Sequence, residues 1–142
     1  MKIIFVCHGN ICRSTMAEFV MKDIVNRLGL EQNYEIISRA TSYEEEGNPI
    51  HFGTRKILDK YNVPYTSHYA TVITKAEYEW ADVVYCMDDN NLRNLKYRVG
   101  RDDKTTKLLD RNVADPYYTG DFESTYRDVV EGCQKLLEKI KG

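Results

Sequence analysis

Residues 3–15, IIFVCHGNICRST, indicate the class of fold most directly. Residues 3–7 are all apolar, which is typical of a short buried strand. After a loop, apolar residues recur at four-residue intervals from Met16 to Leu28, and they therefore lie on one face of a helix. A buried strand that leads through a tight loop into a helix is the opening unit of an α/β fold.

Strands and helices alternate along the rest of the chain. Further strands are predicted over residues 34–40, 83–87 and 107–109. Helices are predicted from Pro49 (N-capped by Asn48) to about Tyr61, in a short segment capped by Thr74 and Glu77, over 90–97, and from Phe122 to Ile140. The alternation predicts a doubly wound, flavodoxin-like parallel sheet of about four strands with helices on both faces. Since a domain holds roughly 100–200 residues, we expect one domain over residues 1–142.

Composition and charge exclude several classes of protein. Hydrophobic residues make up 42% and charged residues 30%, which is typical of a globular chain and not of a disordered one. A net charge of −2 argues against a nucleic-acid or anionic-membrane binder. The apolar run near the start is too short for a signal peptide or a membrane span. We therefore expect a cytoplasmic protein whose four cysteines stay as thiols.

The loop that follows the first strand carries the side chains that could bind an anion and react with it. Cys7 ends the strand, and ligands of such sheets bind at the carboxyl ends of the strands. Gly9 and Asn10 favour a tight turn into the helix, whose N-terminal N–H groups and dipole attract an anion. Arg13 adds a guanidinium suited to phosphate, and this surrounding favours the thiolate of Cys7. With Ser14 placed to donate to the sulfur, the loop predicts attack of a thiolate on phosphorus.

The same loop resembles that of a known family. Residues 7–13 form the pattern C-x5-R, and residues 6–14, VCHGNICRS, are similar to the signature of the low-molecular-weight protein tyrosine phosphatases. The resemblance spans nearly the whole chain, through GNP at 47–49, ITK at 73–75, CMD at 86–88 and DPYY at 115–118. It implies the hydrolysis of protein phosphotyrosine and small aryl phosphates through a phosphocysteine, without metal or cofactor.

The resemblance also implies a role for each matching residue. Cys7 would be the nucleophile, Arg13 would bind the phosphate oxygens, and Asp115 would be the general acid. Tyr117 and Tyr118 would line the cleft. The remaining phosphate-binding positions would be His8, Gly9, Asn10, Ile11, Cys12 and Ser14. Ser38 and His68 would support the loop. The partners would be phosphotyrosine-containing proteins, and we expect a monomer that self-associates only weakly.

Two residues depart from the family pattern. Thr15 stands where many relatives carry proline, and with Glu18 it predicts a capping box that still starts the helix. His8 stands where relatives carry an apolar residue, and its side chain is expected to face the cleft mouth. The acidic run at 44–46 is either a solvated surface or a border of the cleft that favours basic peptide.

Other functions stay open at this point. An arsenate reductase would need two further cysteines close together, whereas Cys86 and Cys133 are far apart in the sequence. A protein-arginine phosphatase would carry threonine in place of Ile11. A phosphocysteine carrier would not need Asp115, and a zinc site at the loop lacks a second pair of ligands. Cys12 either fills the loop or protects Cys7 through a reversible disulfide.

Overall fold

A computed structural model describes residues 1–141 of the chain; residue 142, the last of the predicted domain, lies outside the described residues. Four parallel strands form one sheet in the order β2-β1-β3-β4. They are β1 (Lys2–Cys7), β2 (Glu35–Ala40), β3 (Val83–Cys86) and β4 (Thr105–Lys107). The predicted class of fold is confirmed, with β1 and β3 in the centre of the sheet.

Helices cover both faces of the sheet. They are α1 (Arg13–Arg27), α2 (Phe52–Lys60), α3 (Lys75–Trp80), α4 (Asp89–Val99), α5 (Pro116–Thr119) and α6 (Phe122–Lys141). Side chains alternate along β1, because successive residues of a strand point to opposite faces. Ile3 and Phe5 pack into the cluster formed with α1 and α6, whereas Ile4 and Val6 pack into the cluster formed with α3 and α4. The continuous apolar run of β1 therefore reflects a strand buried on both faces.

Three local predictions are wrong. The second helix begins at Phe52 and not at Pro49, because the ring of His51 accepts the N–H of Gly53 over 3.0 Å and caps the helix. Pro49 instead pairs with Tyr69 in an isolated bridge. The last strand was predicted over residues 107–109, but β4 spans Thr105–Lys107. Leu108 and Leu109, which follow it, are buried in the core.

The predicted capping box at Thr15 is the third error. Helix α1 already begins at Arg13, so Thr15 lies in its first turn and donates its hydroxyl to the Cys12 carbonyl over 2.9 Å. Glu18 contacts β2 instead. The capping box of Thr74 and Glu77 is confirmed at the start of α3.

The length and apolar character of the helices determine whether any of them could cross a membrane. Among residues 1–141, no helix combines the length and apolar character that crossing a membrane requires.

Candidate active site

The Cys7 sulfur lies at the floor of a cleft at the carboxyl end of β1. The cleft is lined by residues 7–13 together with Glu44, Glu45, Asp115, Tyr117 and Tyr118. A larger cavity of about 400 Å³ lies between α1 and residues 64–66, but its described lining contains neither cysteine nor arginine. Chemistry rather than size therefore identifies the cleft as the candidate site.

Two groups of the loop at residues 7–14 contact the sulfur. The backbone N–H of Asn10 donates to Cys7 Sγ over 3.3 Å, and Ser14 Oγ lies 3.1 Å from the same atom. Asn10 has a left-handed backbone with φ of 60°, which asparagine tolerates better than most residues. A neutral thiol donates to the Ser14 hydroxyl, whereas a thiolate accepts from it. Both contacts can therefore serve an ionised sulfur.

The loop leads directly into the N-terminus of α1. Cys12 precedes the first helical residue, Arg13, and both line the cleft. The first N–H groups of a helix have no partner within the helix, and the helix dipole favours an anion near them. The electrostatics of the cleft thus suit an oxyanion next to the sulfur.

Arg13 is held from three sides. Its Nη1 lies 2.7 Å from Asp88 Oδ2 and donates to the Val113 carbonyl over 2.9 Å, while Nη2 lies 3.3 Å from Asp115 Oδ2. Burial alone would lower the pKa of Arg13, but the Cys7 sulfur and the Asp88 carboxylate more than offset it, so this pKa is raised. The guanidinium is therefore a fixed positive charge beside the sulfur.

Asp115 lies above the cleft at the start of α5. Its Oδ1 accepts the N–H of Tyr117 over 3.0 Å, so the carboxylate caps this short helix while its other oxygen faces Arg13. Tyr117 and Tyr118 are 59% and 83% exposed, and their rings meet edge to face. Both rings are thus available to an aromatic group that enters the cleft.

Asn10 connects the loop to the neighbouring elements. Its Nδ2 donates to Ser14 Oγ over 2.8 Å and to Ser38 Oγ over 3.0 Å. Its Oδ1 lies 2.8 Å from His68 Nε2 and accepts the Thr71 N–H over 3.1 Å. Burial lowers the pKa of His68, which favours the neutral ring. The structure thus brings Asn10, Ser14, Ser38 and His68 together beneath the sulfur.

The other cysteines differ from Cys7 in their surroundings. Burial and the nearby Cys7 sulfur raise the pKa of Cys12 to about 12. Burial also raises the pKa of Cys86 to about 12, and it raises that of Cys133. All four cysteines are free thiols. Among residues 1–141, no cluster of three or more histidine, cysteine and acidic side chains is arranged to hold a metal ion.

The rim of the cleft includes His8 and part of the acidic run. His8 Nε2 lies 2.6 Å from Glu44 Oε2, and Glu45 Oε2 accepts from the Asn48 side chain over 2.6 Å. Glu46 is exposed and is absent from the described lining of the cleft. His8 thus faces the cleft mouth, as expected, and two of the three glutamates border the cleft.

Sequence reasoning missed three residues of the site. Asp88 binds Arg13 across 75 positions of the sequence. Glu18 accepts the Ser38 hydroxyl over 2.6 Å and pairs with Lys22 over the same distance. His51 stacks on Phe122 and lies edge to face with Tyr117. Only Asp88 carried a signal in the sequence, since it follows a buried strand and is the N-cap residue of α4.

Comparisons with known proteins agree with this arrangement. A model of the family described as "Low molecular weight phosphotyrosine protein phosphatase" matches residues 2–142. The human protein of that name is 35% identical to this chain, over 96% of the chain and 94% of the relative. The low molecular weight protein-tyrosine-phosphatase YfkJ of Bacillus subtilis is 33% identical, over 98% and 95%.

Solved structures match as well. A low molecular weight protein tyrosine phosphatase from Streptococcus pyogenes has a TM-score of 0.91 and 45% identity, covering 97% of this chain and 91% of that chain. The structure of YfkJ from Bacillus subtilis has a TM-score of 0.95 and 33% identity, covering 99% and 94%. The sequence resemblance is therefore confirmed, and the chain belongs to the low molecular weight phosphotyrosine protein phosphatase family.

Proposed function

We propose that this chain hydrolyses protein phosphotyrosine and small aryl phosphates through a phosphocysteine intermediate on Cys7. The observation that carries the proposal is the position of Arg13. Its guanidinium belongs to the loop around the Cys7 sulfur and at the same time lies 3.3 Å from the Asp115 carboxylate. A phosphoryl transfer of this kind needs a nucleophile, a cation and an acid, and Arg13 is the cation that connects Cys7 with Asp115.

In the first step, the Cys7 thiolate attacks phosphorus. A sulfur–phosphorus bond forms as the bond between phosphorus and the tyrosine oxygen breaks. The carboxylic acid of Asp115 gives its proton to that oxygen, so tyrosine leaves as a neutral phenol. A positioned acid typically contributes about 10²–10⁴ in rate.

In the second step, water attacks the phosphocysteine. Asp115, now a carboxylate, takes a proton from the water, and the sulfur–phosphorus bond breaks to give inorganic phosphate. The Ser14 hydroxyl, 3.1 Å from Sγ, donates to the departing thiolate. Asp115 is then a carboxylic acid again and Cys7 a thiolate, so the starting state is restored without a further proton.

Arg13 and the loop stabilise the charge that develops on the phosphoryl oxygens. The transition state of such transfers is loose and carries its charge on three equatorial oxygens, so positioning and electrostatics supply most of the catalysis. Arg13 is fixed by Asp88 and the Val113 carbonyl before any substrate arrives. A preorganised cation of this kind needs little rearrangement during the reaction.

The rival functions fit the site less well. A phosphocysteine carrier has no use for Asp115 above the cleft. Cys86 and Cys133 are buried, which argues against their passing a disulfide outward in an arsenate reductase. Ile11 lines the cleft with an apolar side chain, which suits an aromatic ester better than a guanidino group.

The proposal is tested with phosphotyrosine peptide and two aryl phosphates, in the presence of EDTA. Cys7→Ser is expected to lose turnover, whereas Cys133→Ala, at a core cysteine outside the cleft lining, keeps it. Asp115→Asn is expected to lose about a hundredfold with phenyl phosphate and far less with p-nitrophenyl phosphate, whose leaving group needs no proton. Asp110→Asn, an exposed carboxylate outside the cleft, is the matched control. Undiminished turnover by Cys7→Ser, or equal losses of Asp115→Asn on both esters, would overturn the assignment concerned.

Further expectations accompany this function. The protein partners are phosphotyrosine-containing proteins, and the proposed chemistry uses no metal or cofactor. The cytoplasmic location, the single domain and the monomer with weak self-association remain predictions. Sedimentation of the purified chain at several concentrations would test the last of them.

A further inference from the structure

The rim of the cleft carries a contact that the proposed chemistry does not use. The His8 ring and the Glu44 carboxylate meet at 2.6 Å beside the cleft mouth. Glu44 is exposed in its side chain by 70%, yet this contact holds its carboxylate at the edge of the cleft. Both residues line the cleft that holds the Cys7 sulfur.

Glu45 extends the same edge. A Cβ atom placed on Gly9 would lie 3.1 Å from Glu45 Cγ, so the glutamate side chain packs directly over the loop. The Asn48 amide binds its carboxylate and orients it. Two carboxylates are thus held in place by hydrogen bonds among the residues that line the cleft.

The guanidinium of the cleft is already engaged. Arg13 contacts two carboxylates and is reserved for the phosphate, and the His8 ring is bound to Glu44. A cavity of about 370 Å³ adjoins the cleft on the other side of His8, and Asp88, Asn90 and Asn94 are among its lining residues. It offers space for a neighbouring side chain, but its described lining contains no lysine and no arginine other than Arg13.

We propose that Glu44, held by His8, and Glu45 select phosphotyrosine that is flanked by basic residues. The inference rests on the proposed function, because it names the preferred substrate class of the same site. A basic side chain next to the phosphotyrosine pairs with the two carboxylates, whereas an acidic one is repelled by them. The third glutamate of the run, Glu46, has no part in this selection because it lies outside the cleft.

The test measures kcat/KM on three peptides that share one phosphotyrosine. They carry arginine, alanine or glutamate at the two positions on each side of it. The wild type is expected to prefer arginine over glutamate, and 1 M NaCl is expected to reduce the preference because it shortens the screening length to about 3 Å. Glu44→Gln is expected to lower the arginine-to-glutamate ratio about two- to fivefold, the usual range for an exposed ion pair. Glu46→Gln removes the same charge from the neighbouring surface and is the matched control.

The outcomes distinguish a failure of the proposed phosphatase function from a failure of the proposed selection for basic residues. If the wild type hydrolyses none of the peptides, the proposed function itself fails. Equal rates on all three peptides would instead leave the phosphatase intact and overturn the selection. A ratio that falls equally in Glu44→Gln and Glu46→Gln would also overturn it, because it would reflect net charge and not the rim.

Discussion

Replacing Asn10 by alanine tests how the loop is held in shape. Four side-chain hydrogen bonds would be lost, those to Ser14, Ser38, His68 and the Thr71 N–H. Each contributes about 1 kcal/mol net, and a left-handed backbone costs alanine about 1–2 kcal/mol more. We expect Asn10→Ala to lower the free energy of unfolding by about 5–6 kcal/mol, a large part of the roughly 5–15 kcal/mol typical of a domain.

Two further variants separate the side-chain and backbone contributions. Asn10→Gly loses the same hydrogen bonds but accepts the left-handed backbone, and its greater chain entropy offsets part of the gain. It should therefore be more stable than Asn10→Ala by at most about 1 kcal/mol. Asn62, the other left-handed residue besides glycines, has φ of 58° and is exposed. Asn62→Ala should therefore cost only the backbone contribution, about 1–2 kcal/mol.

The assay is urea unfolding followed by circular dichroism, with aryl phosphatase activity measured on each folded variant. Asn10→Ala and Asn10→Gly should both lose activity, because Ser14 is no longer oriented toward the Cys7 sulfur. Asn62→Ala should keep it. A loss of less than about 2 kcal/mol in Asn10→Ala, below what its hydrogen bonds should contribute, would refute the reasoning.

Three other perturbations follow from the same structure. Asp88→Asn keeps an N-cap for α4 but removes the negative charge beside Arg13. A hydrogen bond to a charged group contributes about 1.5–3 kcal/mol. The kcat/KM of this variant should therefore fall at least tenfold. His68 has a lowered pKa in the folded state, so the unfolded chain binds the proton first as the pH falls below about 6.5. Stability should therefore decline with acidification below that pH, and the decline should be smaller in His68→Asn, as urea titrations at several pH values would reveal. Gly132→Ala should lower Tm although alanine favours helices by about 0.5–1 kcal/mol, because its Cβ would lie 2.4 Å from Leu108 Cγ and overpacking costs about 1–3 kcal/mol; an unchanged or raised Tm would contradict this.

The parts of the fold that sequence predicts well are those set by local periodicity. The strand at residues 3–7 is a continuous apolar run, and the last helix has apolar residues at helical spacing. The structure has them as β1 and α6 with nearly the predicted bounds. The predicted start of α2 was wrong because histidine is not among the residues that usually cap a helix. Its ring is oriented by stacking on Phe122, which is distant in the sequence.

The same distinction applies to the site. The loop with Cys7 and Arg13 lies in one short segment, so its pattern is visible in the sequence. Asp88 and Glu18 join it through contacts that only the folded sheet creates, since β1 lies between β2 and β3. Glu18 was predicted to form a capping box with Thr15, because it lies three residues after a threonine. Its contact with Ser38 depends on the folded sheet and leaves no local pattern in the sequence.

The hydrogen bonds of Asn10 have a consequence for protein engineering. The eight-residue loop cannot be transplanted alone into another strand–helix junction, because its shape also depends on β2 and on the segment at 68–71. In a recipient scaffold without these partners, the buried Asn10 amide would keep only its hydrogen bond to Ser14 within the loop. Whoever designs such a graft must supply a serine on the adjacent strand and two donors from a third segment.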